Sequence, residues 1–108
     1  MKHSQTAVLE RGEKFDSKFF TEPYEAPWAS EARFFVQRLE GSGDGPVELV
    51  TQISPDGLTW CDAENIETIT MTGALVSWPV SDFGMWLRLR GEVSGSPVRL
   101  RVYLACKE

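Results

Sequence analysis

The groups of this chain that could do acid–base, nucleophilic or metal chemistry are one histidine (His3), two cysteines (Cys61 and Cys106) and sixteen Asp and Glu side chains. A general base at neutral pH is most often histidine. His3 stands in a terminal segment that we expect to be untethered, and without it no Ser-His-Asp or Cys-His pair can be assembled. The cysteines lack Cys-x-x-Cys spacing, and one histidine gives poor support for a zinc site. They allow one disulfide, and nothing in the sequence requires it. Asp44, Asp56, Asp62, Glu64 and Asp82 fall in or near loops, which can supply oxygen ligands for calcium. No Asp-x-Asp-x-Asp-Gly series occurs, so these acids read as a solvated rim. Pairs of carboxylates suited to glycoside hydrolysis arise by chance among so many acids, and none is singled out. Gly41–Pro46 contains no lysine and precedes no helical pattern, which argues against a phosphate-binding loop. The expectation is a protein without catalytic residues, cofactor or metal.

The residues that do stand out are cationic and aromatic. The formal net charge is −5, which disfavours a nucleic-acid binder. The charge is unevenly placed. Residues 1–82 hold six Lys/Arg against fourteen Asp/Glu, and residues 83–108 hold five against two. No basic residue lies between Arg38 and Arg88, where Glu40, Asp44, Glu48, Asp56, Asp62, Glu64, Glu67 and Asp82 occur. The basic end alternates strictly. Leu87, Leu89 and Val93 fall on one side of Met85–Val93. Val98, Leu100, Val102, Leu104 and Cys106 fall on one side of Val98–Lys107. Period-two alternation marks half-buried strands, and Ser94-Gly95-Ser96-Pro97 between them suggests a hairpin. If Val93 paired with Val98, Arg90 would face Arg101, Glu92 would face Arg99 and Arg88 would face Tyr103, with Trp86 extending the stripe. Like charges directly opposite are destabilising. Arg88, Arg90, Arg99, Arg101, Tyr103 and Trp86 are therefore the candidate interface residues. Their partners would be the acids of residues 40–82, a second copy, an anionic glycan or another protein. The alternative is a solvated face with arginine stems covering a sheet.

The elements positioning that face are strands. At 108 residues, 42% hydrophobic and 25% charged, the chain fits one globular domain. Thr6–Glu10 suggests a short strand, and Arg11–Pro27 an irregular arm rich in aromatics. We divide the chain into an arm, residues 1–31, packing on the sandwich or on a neighbour, and a β-sandwich of residues 32–108. Further strands are expected at Arg33–Glu40, Val47–Ile53, from Leu58 to Cys61, near Ile66–Met71, and at Ala74–Trp78, ended by Pro79. Seven or eight such strands imply an all-β antiparallel sandwich or jelly roll. No membrane-length apolar segment and no signal-peptide pattern is seen. The expected setting is intracellular or virion, with no membrane partner.

Ser54-Pro55-Asp56-Gly57-Leu58-Thr59-Trp60 spells S-x-D-G-x-T-W. Pro55 presets φ at the second turn position and Gly57 supplies positive φ. The string resembles the turn-plus-tryptophan element of discoidin-type, galactose-binding-like sandwiches. It also resembles the Asp-box of sialidase-like propellers with one residue missing, and strings in small β-sandwich accessory proteins of phage particles. One copy excludes a propeller, which needs about 40–50 residues for each of several blades. The resemblance implies a structural hairpin in which Asp56 braces the turn and Trp60 packs beneath it. The preferred functional expectation is a non-enzymatic, self-associating sandwich that decorates or stabilises a larger particle, such as a viral head, tail or shell. The alternative is a carbohydrate-binding module stacking sugars on Trp86, Tyr103, Trp78 or Trp28. A third is a module that positions a partner within an enzyme complex.

Overall fold

Two strictly alternating strands can each bury only one face, and the fold is built around how these two do so. The computed structural model describes residues 2–108. It contains β1 (Ser4–Phe15), β2 (Lys18–Phe20), β3 (Tyr24–Glu25), β4 (Glu31–Arg38), β5 (Val47–Ser54), β6 (Cys61–Asp62), β7 (Ile69–Met71), β8 (Leu75–Val80), β9 (Trp86–Val93) and β10 (Val98–Lys107). The first sheet has the order β1-β10-β4-β8. The second has the order β2-β9-β5-β6, with β3 also on β9 and β7 also on β5. All pairings are antiparallel, so the expected all-β sandwich is the observed fold.

The expected hairpin between the last two strands does not form. β9 pairs with β5 on one side and with β2 and β3 on the other. β10 pairs with β1 and β4. Residues 94–97 cross from one sheet to the other. Alternation dictates which side of a strand is buried, and that side is the same for a hairpin and for an arch. What decides between them lies elsewhere in the chain. The backbone N–H of Gly43 donates to the carbonyl of Pro97 at 2.8 Å, and that of Ser94 to Pro46 at 3.4 Å. The arch therefore packs on a second arch, residues 39–46, which carries the chain from β4 in the first sheet to β5 in the second. Arg38 ties this corner down, donating to the carbonyls of Gly43 at 2.7 Å and Met71 at 3.3 Å.

The core lies between the sheets. Leu87, Leu89, Leu100, Val102 and Leu104 are fully buried, with Phe34, Val36, Val47, Leu49 and Met71 among them. Truncating one such leucine to alanine costs about 2–5 kcal/mol, from lost transfer energy and the cavity left behind. Trp78 joins this core, and its indole N–H donates to Thr51 Oγ1 at 2.8 Å across the two sheets. It therefore cannot serve as a sugar platform.

The first 31 residues are more regular than expected. β1 is twelve residues long and pairs with β10 from Ser4 to Phe15. Register shifts between Val8 and Glu10 and between Arg11 and Glu13 break its alternation, which is why only its start looked like a strand. Such bulges add a residue and redirect the side chains after it. β2 and β3 then line the far edge of β9 in the other sheet. His3 is tethered rather than loose. Its N–H donates to Glu108 Oε1 at 2.7 Å, its carbonyl accepts from Glu108 N–H at 2.9 Å, and its ring meets Trp28 edge-on at 4.4 Å. Pro79 lies within β8 rather than ending it, because among the described residues β8 is an edge strand paired only with β4, where a missing N–H can face outward.

Gly91 is required by a close approach. It sits opposite Phe19, and a Cβ there would overlap the Phe19 ring. That ring is buried and stacked on Phe15 at 3.9 Å, so it has little room to yield. Gly91→Ala is expected to lower stability by about 1–3 kcal/mol through overpacking, read as a drop in the thermal melting midpoint. An unchanged midpoint would show that the Phe15–Phe19 stack shifts freely.

Candidate functional site

Splitting β9 from β10 also splits the six candidate interface residues. Trp86, Arg88 and Arg90 lie on the outer face of the second sheet. Arg99, Arg101 and Tyr103 lie on the outer face of the first. The two faces differ in how their cations are compensated.

On the second sheet, Arg88 is packed and partnered. Its guanidinium lies over the Phe20 ring at 4.2 Å and over the Trp60 ring at 4.3 Å. Its Nε donates to Gln52 Oε1 at 2.8 Å. Gln52 Nε2 donates to Asp62 Oδ1 at 2.9 Å, and the same oxygen receives Arg90 at 3.3 Å. Arg88, Gln52, Asp62 and Arg90 thus form one chain of contacts across β9, β5 and β6. Partial burial, then the neighbouring charge of Arg90, lowers the Arg88 pKa below its ordinary value. Arg90–Asp62 is the single ion pair among the described residues, with side chains 33% and 53% exposed. Exposed pairs contribute about 0–1 kcal/mol, so it organises the face more than it stabilises the fold.

The turn entering this face is built on Asp56, and it corrects the expectation for Trp60. Asp56 Oδ1 accepts from the N–H of Leu58 at 2.9 Å and of Thr59 at 2.8 Å, and from Ser54 Oγ at 3.1 Å. Asp56 therefore braces the turn. Trp60 does not pack beneath it in the core. It is half-buried on the outer face, against Arg88. The tryptophan under the turn is Trp86, whose ring lies about 3.0 Å from where a Cβ at Gly57 would sit. Gly57 has φ +78°, so both conformation and space require glycine there. Phe20, 47% exposed, was not singled out from sequence. Its only cue was the pairing of β2 with β9, which leaves Phe19 inside and Phe20 outside.

On the first sheet the register builds rows across four strands. Val8, Tyr103, Phe35 and Ser77 form one row, and Arg11, Arg101, Gln37 and Leu75 the next. Lys14 stands opposite Arg99 beyond them. On the other side of the aromatic row lie Thr6, Ala105, Arg33 and Pro79. Arg11–Arg101 and Lys14–Arg99 are like-charged neighbours in direct register, and none of the four has a carboxylate partner among the described residues. Arg99 Nε donates to the carbonyl of Gly12 at 3.3 Å, and Arg33 donates to Ser77 Oγ at 2.9 Å. A depression of about 370 Å³ opens on this face beside Arg33, Phe35, Ala105 and Lys107. Glu10, at the rim between the sheets, accepts from the Glu22 N–H at 3.0 Å, and burial raises its pKa.

No cluster of three or more metal-ligating side chains occurs among the described residues. Cys61 is exposed and Cys106 buried, and the two are not bonded. No helix is long and apolar enough to cross a membrane among the described residues.

The Asp56 carboxyl is held below its ordinary value by the N–H groups of Thr59 and Leu58. A depressed folded value stabilises above the unfolded pKa and is lost as pH falls through the folded one. Asp56→Ala is expected to melt below the wild type at neutral pH, with the gap narrowing as the pH falls below 3.8. Thermal melts across pH check this, and a gap independent of pH would assign the bracing to shape rather than charge.

No known protein family matches this sequence, and no curated protein does. Solved structures do share the fold. The PBSX exported protein XepA superposes with a TM-score of 0.70 at 11% identity, over 94% of this chain and 36% of that one. This chain thus matches about a third of XepA. The SPBc2 prophage-derived protein YomS superposes with a TM-score of 0.65 at 8% identity, over 100% of this chain and 96% of that one. At these identities the likeness is one of fold: the chain is a small β-sandwich whose fold is similar to that of YomS and of part of XepA.

Proposed function

We propose that this chain is a non-enzymatic assembly module, a self-associating sandwich that decorates or stabilises a larger particle of phage type. The observation that carries the reading is the outer face of the first sheet. Two like-charged pairs stand in direct register there, next to a half-buried row of Tyr103 and Phe35. Like charges opposite one another cost stability in the isolated sheet. Aromatic residues and arginine are also the types enriched where proteins meet. The end-to-end match to YomS, a chain of nearly the same extent named as prophage-derived, supports a phage setting. XepA is named as an exported protein of PBSX, which supports work outside the cytosol or on a particle. Multi-angle light scattering over a range of concentrations is expected to show mass above the monomer of 12.1 kDa. A monomer at every concentration, with no particle co-purifying, contradicts the reading.

A second reading is favoured by the Phe20–Arg88–Trp60 stack. Two rings flank a planar cation there, with Gln52 and Asp62 within reach of the same surface. Stacking rings beside hydrogen-bonding side chains can hold a sugar. Titration with neutral and uronic-acid oligosaccharides, followed by tryptophan fluorescence, is expected to show saturable quenching that Trp60→Ala removes. No response from any oligosaccharide excludes a glycan function for this face.

A further inference from the structure

The two sheets carry opposite charge to opposite corners of the molecule. Phe15 of β1 stacks on Phe19 of β2, so the β1 edge of the first sheet lies over the β2 edge of the second. Trp78 of β8 reaches Thr51 of β5, and Arg38 at the end of β4 reaches the Met71 carbonyl in β7. The β8 edge therefore lies over the β6 and β7 edge. Arg11, Lys14, Arg99 and Arg101 gather on the outer face at β1 and β10. Asp62, Glu64 and Glu67, all exposed, gather along β6, β7 and the segment between them, in the stretch that contains no Lys or Arg. Asp62 is already engaged by Arg90 and Gln52, while Glu64 and Glu67 have no cation partner among the described residues. The thickness of the sandwich separates the basic face from the acidic edge, so the chain cannot neutralise one with the other.

We propose that the basic face of the first sheet docks on the acidic β6–β7 edge of a second copy, in a head-to-tail contact. This rests on the self-association reading above and specifies its partner surface. Charge complementarity selects the occupant. A polyanion would answer only the basic face and leave Glu64 and Glu67 on the acidic edge unanswered. A second copy answers the face with its own edge and leaves its own face free. A contact between two different patches is heterologous, and it propagates into rings or filaments rather than stopping at a dimer. The β6–β7 edge is also a sheet edge with no further strand paired to it among the described residues, the kind of surface on which another chain can be seated.

Two charge variants test the proposal by sedimentation velocity. Arg99→Glu with Arg101→Glu turns both like-charged pairs into opposite ones. It is expected to melt higher than wild type yet associate about ten-fold or more weakly. Glu64→Lys with Glu67→Lys is expected to weaken association to a similar extent while leaving the melting midpoint near wild type. Mixed together, the first variant still offers an acidic edge and the second a basic face. The mixture is expected to associate more tightly than either variant alone. Association of the wild type that survives either variant overturns the head-to-tail contact and leaves the assembly reading standing. If only the arginine variant weakens it, the contact is face-to-face or with a different partner surface, and the proposal fails. A wild type that is monomeric throughout removes both the proposal and the reading beneath it.

Discussion

The structure depends on one constraint: β9 and β10 each have a single apolar side, and both sides are buried in the same core from opposite sheets. Leu87, Leu89 and Val93 point at Val98, Leu100, Val102 and Leu104 across the interior rather than lying beside them. Each strand then uses both of its edges for pairing, β9 with β5 and the short N-terminal strands, β10 with β1 and β4. The outward side chains of the two strands are thereby sent to opposite surfaces. Four arginines that look like one patch in the sequence become two patches with different surroundings.

Those surroundings explain why the two faces behave differently. Arg88 has lost solvent to Phe20 and Trp60 and gained Gln52, while Arg90 has Asp62. The second sheet therefore satisfies Arg88 and Arg90 internally, with Asp62 drawn from the stretch that lacks basic residues. On the first sheet the bulges of β1 bring Arg11 and Lys14 up beside Arg101 and Arg99, which adds positive charge where the sequence already had it. Such an arrangement is costly in isolation and is relieved by an anionic surface. The aromatic row of Tyr103 and Phe35 beside it supplies area that loses little conformational freedom on being covered.

Much of this fold was legible because the cues were local. Period-two alternation located β5, β9 and β10 to within a residue or so, and Ser54-Pro55-Asp56-Gly57 announced its turn through residue chemistry alone. What was not legible depended on neighbours. Alternation marks the buried side of a strand but not the strand beside it, so the Val93–Val98 connection looked like a hairpin when it is an arch. β1 hid because its two bulges interrupt the period near Leu9 and Gly12. Trp60 and Trp86 exchanged their expected places for a related reason. Gly57 leaves room under the turn for a ring from β9, and Trp60 is left on the surface for Arg88. The candidate site was legible as residue types and illegible as geometry: Arg11, Lys14 and Phe20 became part of it only through register.

The proposed assembly rests on the basic face of one copy meeting the acidic edge of another. Zero-length carbodiimide crosslinking of an equal mixture of isotopically light and heavy protein, read by mass spectrometry, tests this most directly. The proposed head-to-tail contact predicts crosslinks from Lys14 to Glu64 or Glu67 that join light to heavy copies. Crosslinks between copies that avoid Lys14 and the β6–β7 edge, from a sample that is associated in solution, would contradict it.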